Sequence, residues 1–208
     1  MIELFSANTP NAKKISIMLE EIDYEYKVTK IDINNEEQFK DNFKKISPFS
    51  KTPVIIDHKN DNTIFESGAI LIYLGEKSGK FYNKTERTQI NQWLMGQMAY
   101  VGPMLGQHHQ FHHYNPGKSE FGEKRYFKIS ERIYKDLDER LVKSNFLAGE
   151  RYSIADIATF PWIARHEWHD IGLKKFKGLV RWYEDISKRE AVQRGYDIFK
   201  KGEQIPKV

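Results

Sequence analysis

Along the first eighty residues the hydrophobic positions change period several times. "IELF", at residues 2–5, is a short strand candidate. Ile15, Met18, Leu19 and Ile22 then recur at the i, i+3, i+4, i+7 spacing of a helix with one buried face. "YEYKVTKID" alternates with period two and predicts a second strand. "EEQFKDNFKKI" predicts a short helix, "SPFSKTPVII" runs into a third strand, and "TIF" is a fourth. "ESGAILIYLGEKSG" predicts a helix closed by glycine. Strand–helix–strand, then helix, then a strand pair and a helix, with short links, is the order of a thioredoxin-like α/β layer.

From "NKTERTQINQWLMGQMAYVGPML" onward the pattern is helical only. "EKRYFKISERIYKDLDERL" sets Ile129, Ile133, Leu137 and Leu141 on one stripe. "YSIADIATFPWIARHEW" opens with a capping box in which Ser153 caps and Asp156 reaches back, with Tyr152 and Ile157 at the positions of a hydrophobic staple. The change falls near "GKFYNKTE", residues 79–86. It divides the chain into a thioredoxin-like α/β domain at 1–80 and an all-α domain at 86–208.

Composition narrows the class. A chain of 208 residues with 39% hydrophobic and 13% aromatic positions can bury a real core. The start lacks a basic segment followed by a long apolar run, and no apolar stretch approaches a membrane span, so the expectation is a cytoplasmic protein without a membrane partner. The formal charge of +4 arises from 33 basic and 29 acidic residues. Their interleaving describes solvated helix faces rather than a nucleic-acid stripe, although a mild positive field favours small anions. Cysteine is absent. That excludes a disulfide scaffold, a zinc–cysteine site, a CxxC redox centre and any covalent intermediate on a protein thiol.

Three short segments carry candidate chemistry. In "SANTPNAKKI", Thr9 is a good N-cap, Pro10 sits at the favoured first helical position and Asn11 follows. The Asn11 N–H and side-chain amide then point past the helix start, where orphan donors and the dipole attract anions. In "KTPVII" a proline precedes a strand, where a thioredoxin-like layer uses a cis-proline that would present the Thr52 backbone to an extended peptide. "FESGAI" places Ser67 as N-cap with Glu66 just outside, one for a carboxylate and one for an ammonium. Each segment alone is adequately explained as a helix cap or a strand start. Together they describe a site for a small extended peptide with an amino group, carboxylates and a central reactive atom. Glutathione fits.

The chain resembles the glutathione transferases along essentially its whole length, and within them the bacterial nu-class glutathione-dependent disulfide-bond oxidoreductases. A relative is the transferase-like domain of the yeast nitrogen-regulation prion protein. The resemblance rests on "TPN", "EEQF", "ISPFSKTPVI", "FESGAILIYL", "QWLMGQMAYVGPMLGQ", "EKRY" and "YSIADIATFPW". It implies that Thr9 and Asn11 flank the glutathione sulfur, that Gln38, Lys51, the Thr52 backbone, Glu66 and Ser67 hold the peptide ends, and that Arg125 contacts a glutathione carboxylate. It also implies a homodimer. "GPMLGQHHQFHHY" departs from the family pattern, with histidines at several polar positions expected to line the outer half of the active site. The pairs His108/His112 and His109/His113 have metal-ligand spacing, but no carboxylate lies within the cluster and Asn115-Pro116-Gly117 ends any helix after it, so no metal is expected.

The implied chemistry is energetically reasonable. Lowering a thiol from a pKa of about 8.5 to about 6.5 needs ~2.7 kcal/mol of preferential anion stabilisation. A helix N-terminus supplies roughly 0.3–1 kcal/mol, up to about 2 when partly buried, and a hydrogen bond to a charged acceptor adds roughly 1.5–3. The dipole with one donor from Thr9 or Asn11 is therefore sufficient without a general base. Ser6, at the strand end before the turn, reads better as a strand-terminal serine. Three functions remain open: disulfide reduction by bound glutathione, conjugation of glutathione to electrophiles, and a non-catalytic glutathione-binding module; the chain has no Asn/Gln-rich tail of the prion kind. Since no protein thiol exists, the intact mass of the chain after disulfide turnover stays that of the unmodified protein; a glutathionylated adduct would overturn the cofactor-borne mechanism.

Overall fold

The structure, a computed structural model, describes all 208 residues, Met1–Val208. They form two compact units: Met1–Tyr82 together with Arg189–Gln204, and Asn83–Lys188 together with Ile205–Val208.

The first unit is built on four strands, β1 (Ile2–Ser6), β2 (Tyr26–Lys30), β3 (Val54–Asp57) and β4 (Asn62–Phe65). Their order is β2-β1-β3-β4, with β1 and β2 parallel and the β1–β3 and β3–β4 pairs antiparallel. Ile2, Leu4 and Ser6 alternate inward along β1, whereas Phe5, paired with Val54, joins Ile31, Phe43 and Ile46 in a separate small cluster. Helices α1 (Pro10–Ile22) and α3 (Ser67–Ser78) pack on each other, and Gly79 ends α3 in the left-handed conformation (φ 70°). The single helix expected over residues 36–46 is broken. A tight turn at Glu37–Phe39 and the short α2 (Asp41–Lys44) are separated by Lys40, whose backbone is extended (φ −67°, ψ 144°).

Residues 189–204, grouped by periodicity with the helical part of the chain, fold back onto the first unit instead. Helix α10 (Glu190–Tyr196) packs along α1 so closely that a Cβ at Gly195 would stand 2.5 Å from Ile17 Cα. Ser16 Oγ donates to the Gly195 carbonyl at 2.5 Å, and Arg189 and Arg194 pair with Glu21 and Glu20. With α3 on one side and α10 on the other, α1 buries even Lys13 and Lys14. Lys13 Nζ lies 3.5 Å above the Tyr196 ring and pairs with Glu203, which also accepts from Asn8 Nδ2 at 3.2 Å.

The second unit is helical: α4 (Arg87–Gly96), α5 (Gly102–His108), α6 (Glu120–Leu141), α7 (Ile154–Ile163), α8 (His166–His169) and α9 (Lys177–Ser187). On α6 the buried stripe includes Ser130, Ile133, Tyr134, Leu137 and Leu141, with Ile129 half-buried at its margin. The Ser153–Asp156 capping box is present, and its carboxylate does more than cap. Fully buried, Asp156 accepts from the N–H and hydroxyl of Ser153, from Leu147 N–H and from Trp182 Nε1. Burial raises its pKa, and those four donors oppose the shift.

The histidine-rich segment is the main departure from expectation. Residues 109–114 widen into π-helical turns, and His108 and His109 are sealed within this unit (0% and 4% exposed) rather than lining an open surface. Each contacts His169: His108 Nε2 meets its carbonyl at 2.9 Å, and His109 Nε2 meets its Nε2 at 2.8 Å. The Tyr134 hydroxyl closes the chain at 2.6 Å from His169 Nδ1. His112 stacks on His108, and His113 stacks on Trp168. The cause is aromatic packing: flat rings share an apolar interior, where the His109–His169–Tyr134 chain satisfies its own polar atoms and His108 Nδ1 is left buried without a partner.

Burial lowers the pKa of His108 and His169, and that of His109 to about 3. These rings therefore stay neutral in the folded protein while their unfolded counterparts protonate near pH 6.5. The unfolded state binds more protons, so their contribution is complete above that pH and is lost as pH falls towards 3. Chemical denaturation should show stability dropping with a visibly steeper slope below about pH 6.5, by up to ~1.4 kcal/mol per pH unit for each histidine. A profile with no break there would contradict neutral burial.

Candidate functional site

The first turn is built as the sequence suggests. Thr9 is extended (φ −126°, ψ 156°) and caps α1, its Oγ1 accepting from Ala12 N–H at 3.4 Å. That bond uses an acceptor lone pair and leaves the hydroxyl hydrogen to donate elsewhere. Asn11, half-buried, follows Pro10 in the first turn. Ser6 points away: fully buried, it donates to the Ala7 carbonyl at 3.0 Å.

The second wall comes from the loop before β3. The Thr52–Pro53 bond is cis. The loop is held by buried Ser47, whose hydroxyl donates to the Lys51 carbonyl at 2.8 Å and accepts from Lys51 N–H at 3.0 Å. Ser50 turns the chain in the left-handed region (φ 55°). Thr52 takes part in no backbone hydrogen bond, so its N–H and carbonyl remain available to an extended ligand.

The third wall is the start of α3, and here the register differs by one from expectation. Glu66 is the cap, with φ 70° and no side-chain capping bond, and Ser67 is the first helical residue. The left-handed φ of a non-glycine residue tips the Glu66 side chain to the exposed side and keeps Ser67 buried. Beneath Ser67 lies Lys14, whose Nζ donates to Ser67 Oγ at 3.3 Å.

These walls enclose a cavity of about 280 Å³. Asn11, Lys51, Thr52, Glu66 and Ser67 line it, together with Ser47, Phe49, Pro53 and Phe65. The Phe49 and Phe65 rings meet edge to face at 6.3 Å and are both exposed. Thr9 stands at the head of the same helix but is not part of the wall. Gln38 is also outside it, its Nε2 directed to the Ile33 carbonyl at 3.4 Å. Arg125 is an exposed residue of α6 in the second unit. Sequence reasoning missed the aromatic pair, although both rings sit in the quoted segments "SPFSK" and "FESGA". It also missed Lys14, which looks like a solvated helix charge until α3 and α10 cover it.

Comparison with known proteins gives this geometry a family. The family model described as glutathione S-transferase, N-terminal domain, matches residues 1–76, and that described as glutathione S-transferase, C-terminal domain, matches residues 101–190. The chain belongs to the glutathione S-transferase family. It is 41% identical over 198 residues to the disulfide-bond oxidoreductase YfcG of Escherichia coli, covering 92% of each chain. A glutathione transferase from Pseudomonas putida, solved with one glutathione disulfide per subunit, superposes with TM-score 0.89 at 39% identity, over 95% of this chain and 91% of the other. One from Burkholderia graminis, solved with two glutathione molecules per subunit, gives 0.90 at 35% identity, over 97% and 89%.

Within this transferase the loop before β3 depends on one hydroxyl. Ser47→Ala leaves Lys51 N–H without its partner and should cost about 1 kcal/mol in denaturant unfolding. No measurable loss would mean that other contacts hold the loop.

Proposed function

We propose that this enzyme is a glutathione-dependent disulfide-bond reductase, in which residues 1–80 bind glutathione and the redox sulfur belongs to the cofactor. The observation that carries the reading is the convergence of the α1 start, the Thr52 backbone and the α3 start on one cavity in a chain without cysteine. Glutathione lies extended along Thr52, with its γ-glutamyl ammonium at Glu66 and the adjacent carboxylate at Ser67. Lys51 and Gln38 serve the glycyl end, Arg125 a carboxylate, and Thr9 and Asn11 the sulfur.

The reaction needs no group on the protein to change its covalent state. Bound glutathione thiolate attacks one sulfur of the disulfide, and the S–S bond breaks to release the other as a thiolate. A second glutathione then attacks the mixed disulfide, so two glutathiones become glutathione disulfide and the substrate becomes two thiols. Exchange is fastest when the attacking thiol has a pKa near ambient pH, which the helix start and one donated hydrogen bond arrange. The oxidoreductase name of the Escherichia coli relative and the glutathione disulfide in the Pseudomonas neighbour support this choice. So do the two glutathiones per subunit in the Burkholderia structure. A nu-class assignment, a homodimeric state and a cytoplasmic location belong to the same reading. No helix is long and apolar enough to cross a membrane.

A second reading, conjugation to electrophiles, is favoured by the exposed Phe49–Phe65 pair at the cavity, which offers an apolar neighbour to the sulfur. Turnover of a model disulfide and of an aryl halide separates the two. Thr9→Ala and Asn11→Ala should each lower disulfide turnover about tenfold or more, with the glutathione thiol pKa in the complex moving up towards its free value. Vigorous conjugation with negligible disulfide turnover would replace the first reading by the second. Tight glutathione binding without either activity would make the protein a binding module.

A further inference from the structure

The turn that carries Thr9 is tied from outside the cavity by the last stretch of the same unit. The Ala7 carbonyl accepts from Thr9 N–H at 2.8 Å, closing a three-residue turn centred on Asn8, and it also accepts from the buried Ser6 hydroxyl at 3.0 Å. Asn8 is exposed, and its side-chain amide donates to Glu203 Oε2 at 3.2 Å. The other oxygen of that carboxylate, Oε1, takes the ammonium of buried Lys13 on α1. One carboxylate, 195 residues along the chain from Asn8, thus holds both α1 and the turn that leads into it.

Glu203 is itself placed by the hydrogen bonds of its own segment. Asp197, just beyond α10, accepts from Lys201 N–H at 2.8 Å and from Gly202 N–H at 2.7 Å, and its carbonyl accepts from Lys200 N–H at 2.8 Å. Lys200 and Gly202 both lie in the left-handed region (φ 53° and 80°), so the chain curls around the Asp197 carboxylate and forms a short strap. Behind the strap, contacts between α10 and α1 run along the length of α1: Arg189 with Glu21, Arg194 with Glu20, the Gly195 carbonyl with Ser16, and the Tyr196 ring with Lys13. The Asn8–Glu203 bond continues this series past the helix start, to the residue next to Thr9.

We propose that Asn8 and Glu203 are positioning residues for the sulfur-facing turn, so that the strap at 197–204 sets the direction in which the Thr9 hydroxyl meets the thiolate. The inference rests on the glutathione reading above and extends it to residues outside the cavity. Neither residue touches the ligand. A rotation of the Asn8 backbone swings Thr9, and with it the hydrogen that its hydroxyl has left to donate. The three-residue turn is closed by a single short-range hydrogen bond, whose angle is strained by so small a ring. An amide donating to a carboxylate is a stronger kind of bond, and Lys13 ties the same carboxylate to α1. Because Asn8 is exposed, this tie adds little to the stability of the fold; its effect falls on the geometry of the turn. It acts at the sulfur and leaves the contacts for the two ends of the peptide as they are.

The test uses the full-length protein. Thiolate absorbance against pH gives the thiol pKa of bound glutathione, and disulfide turnover gives kcat and KM. Calorimetry gives the affinity for S-methylglutathione, which has both peptide ends but no titrating thiol. Asn8→Ala should raise the thiol pKa by about half a pH unit and lower kcat about threefold or more, with S-methylglutathione affinity unchanged. Asp197→Ala, which loosens the strap without touching the turn, should move the thiol pKa in the same direction. Asn8→Ala added to Glu203→Ala should shift it no further than Glu203→Ala alone. An unchanged thiol pKa in Asn8→Ala overturns the proposal, whether or not the other variants fold. A full further rise in the double variant overturns it too, since Asn8 would then act on the sulfur without Glu203. A loss of S-methylglutathione affinity matching the loss of turnover would show a general loosening of the site and overturn it as well. Failure of the wild type to bind S-methylglutathione would instead reject the glutathione reading on which the proposal stands.

Discussion

Helix α1 is enclosed on two sides, and most of what the first unit does follows from that. A helix at the edge of an α/β layer ordinarily keeps a polar face in water. Here α3 covers one flank and α10 the other, so ten of its thirteen residues are buried, two lysines among them. Each buried cation requires an answer within the protein. Lys13 has the Tyr196 ring and Glu203; Lys14 has Ser67. The helix start at Thr9 is thereby backed by packed elements on two flanks.

In the proposed function, that enclosure is what lets an ordinary N-cap act on a thiolate. The donors at the head of α1 are weak individually, and their effect on a thiolate depends on being held where the charge appears. Thr9 Oγ1 accepts from Ala12 N–H, which leaves its hydroxyl hydrogen to donate elsewhere. Opposite it, Ser47 binds Lys51 on both backbone groups and fixes the loop that carries Thr52. The cavity is thus walled by elements whose own hydrogen bonds are already made.

The sequence carried the order of strands and helices, the α1 cap and the Ser153–Asp156 box, because each rests on local chemistry, and it carried the cis-proline position through the layer that those elements imply. It did not carry features set by tertiary neighbours. Lys40 interrupts what periodicity reads as one helix, since the pattern of Phe39, Phe43 and Ile46 records burial but not backbone continuity. Glu66 adopts a positive φ that no local preference of glutamate announces, and this moves the cap by one residue. His108 and His109 looked like polar groups for a pocket; their rings are instead buried with His169 and Tyr134. Lys14 is the same case in miniature. A charge is read as solvated until the element that covers it is known.

The covering element also gives the first unit an unusual topology along the chain. It consists of two stretches, 1–82 and 189–204, with the entire run from Asn83 to Lys188 spelled out between them. Until residues 189–204 are synthesised, Ser16 lacks the Gly195 carbonyl, and Lys13 and Asn8 lack Glu203. The stretch 1–82 is therefore made well before 189–204, the stretch that completes its unit. A nascent chain thus carries α1 before it carries the helix that covers it, and the first unit closes only once the intervening helical run has been made.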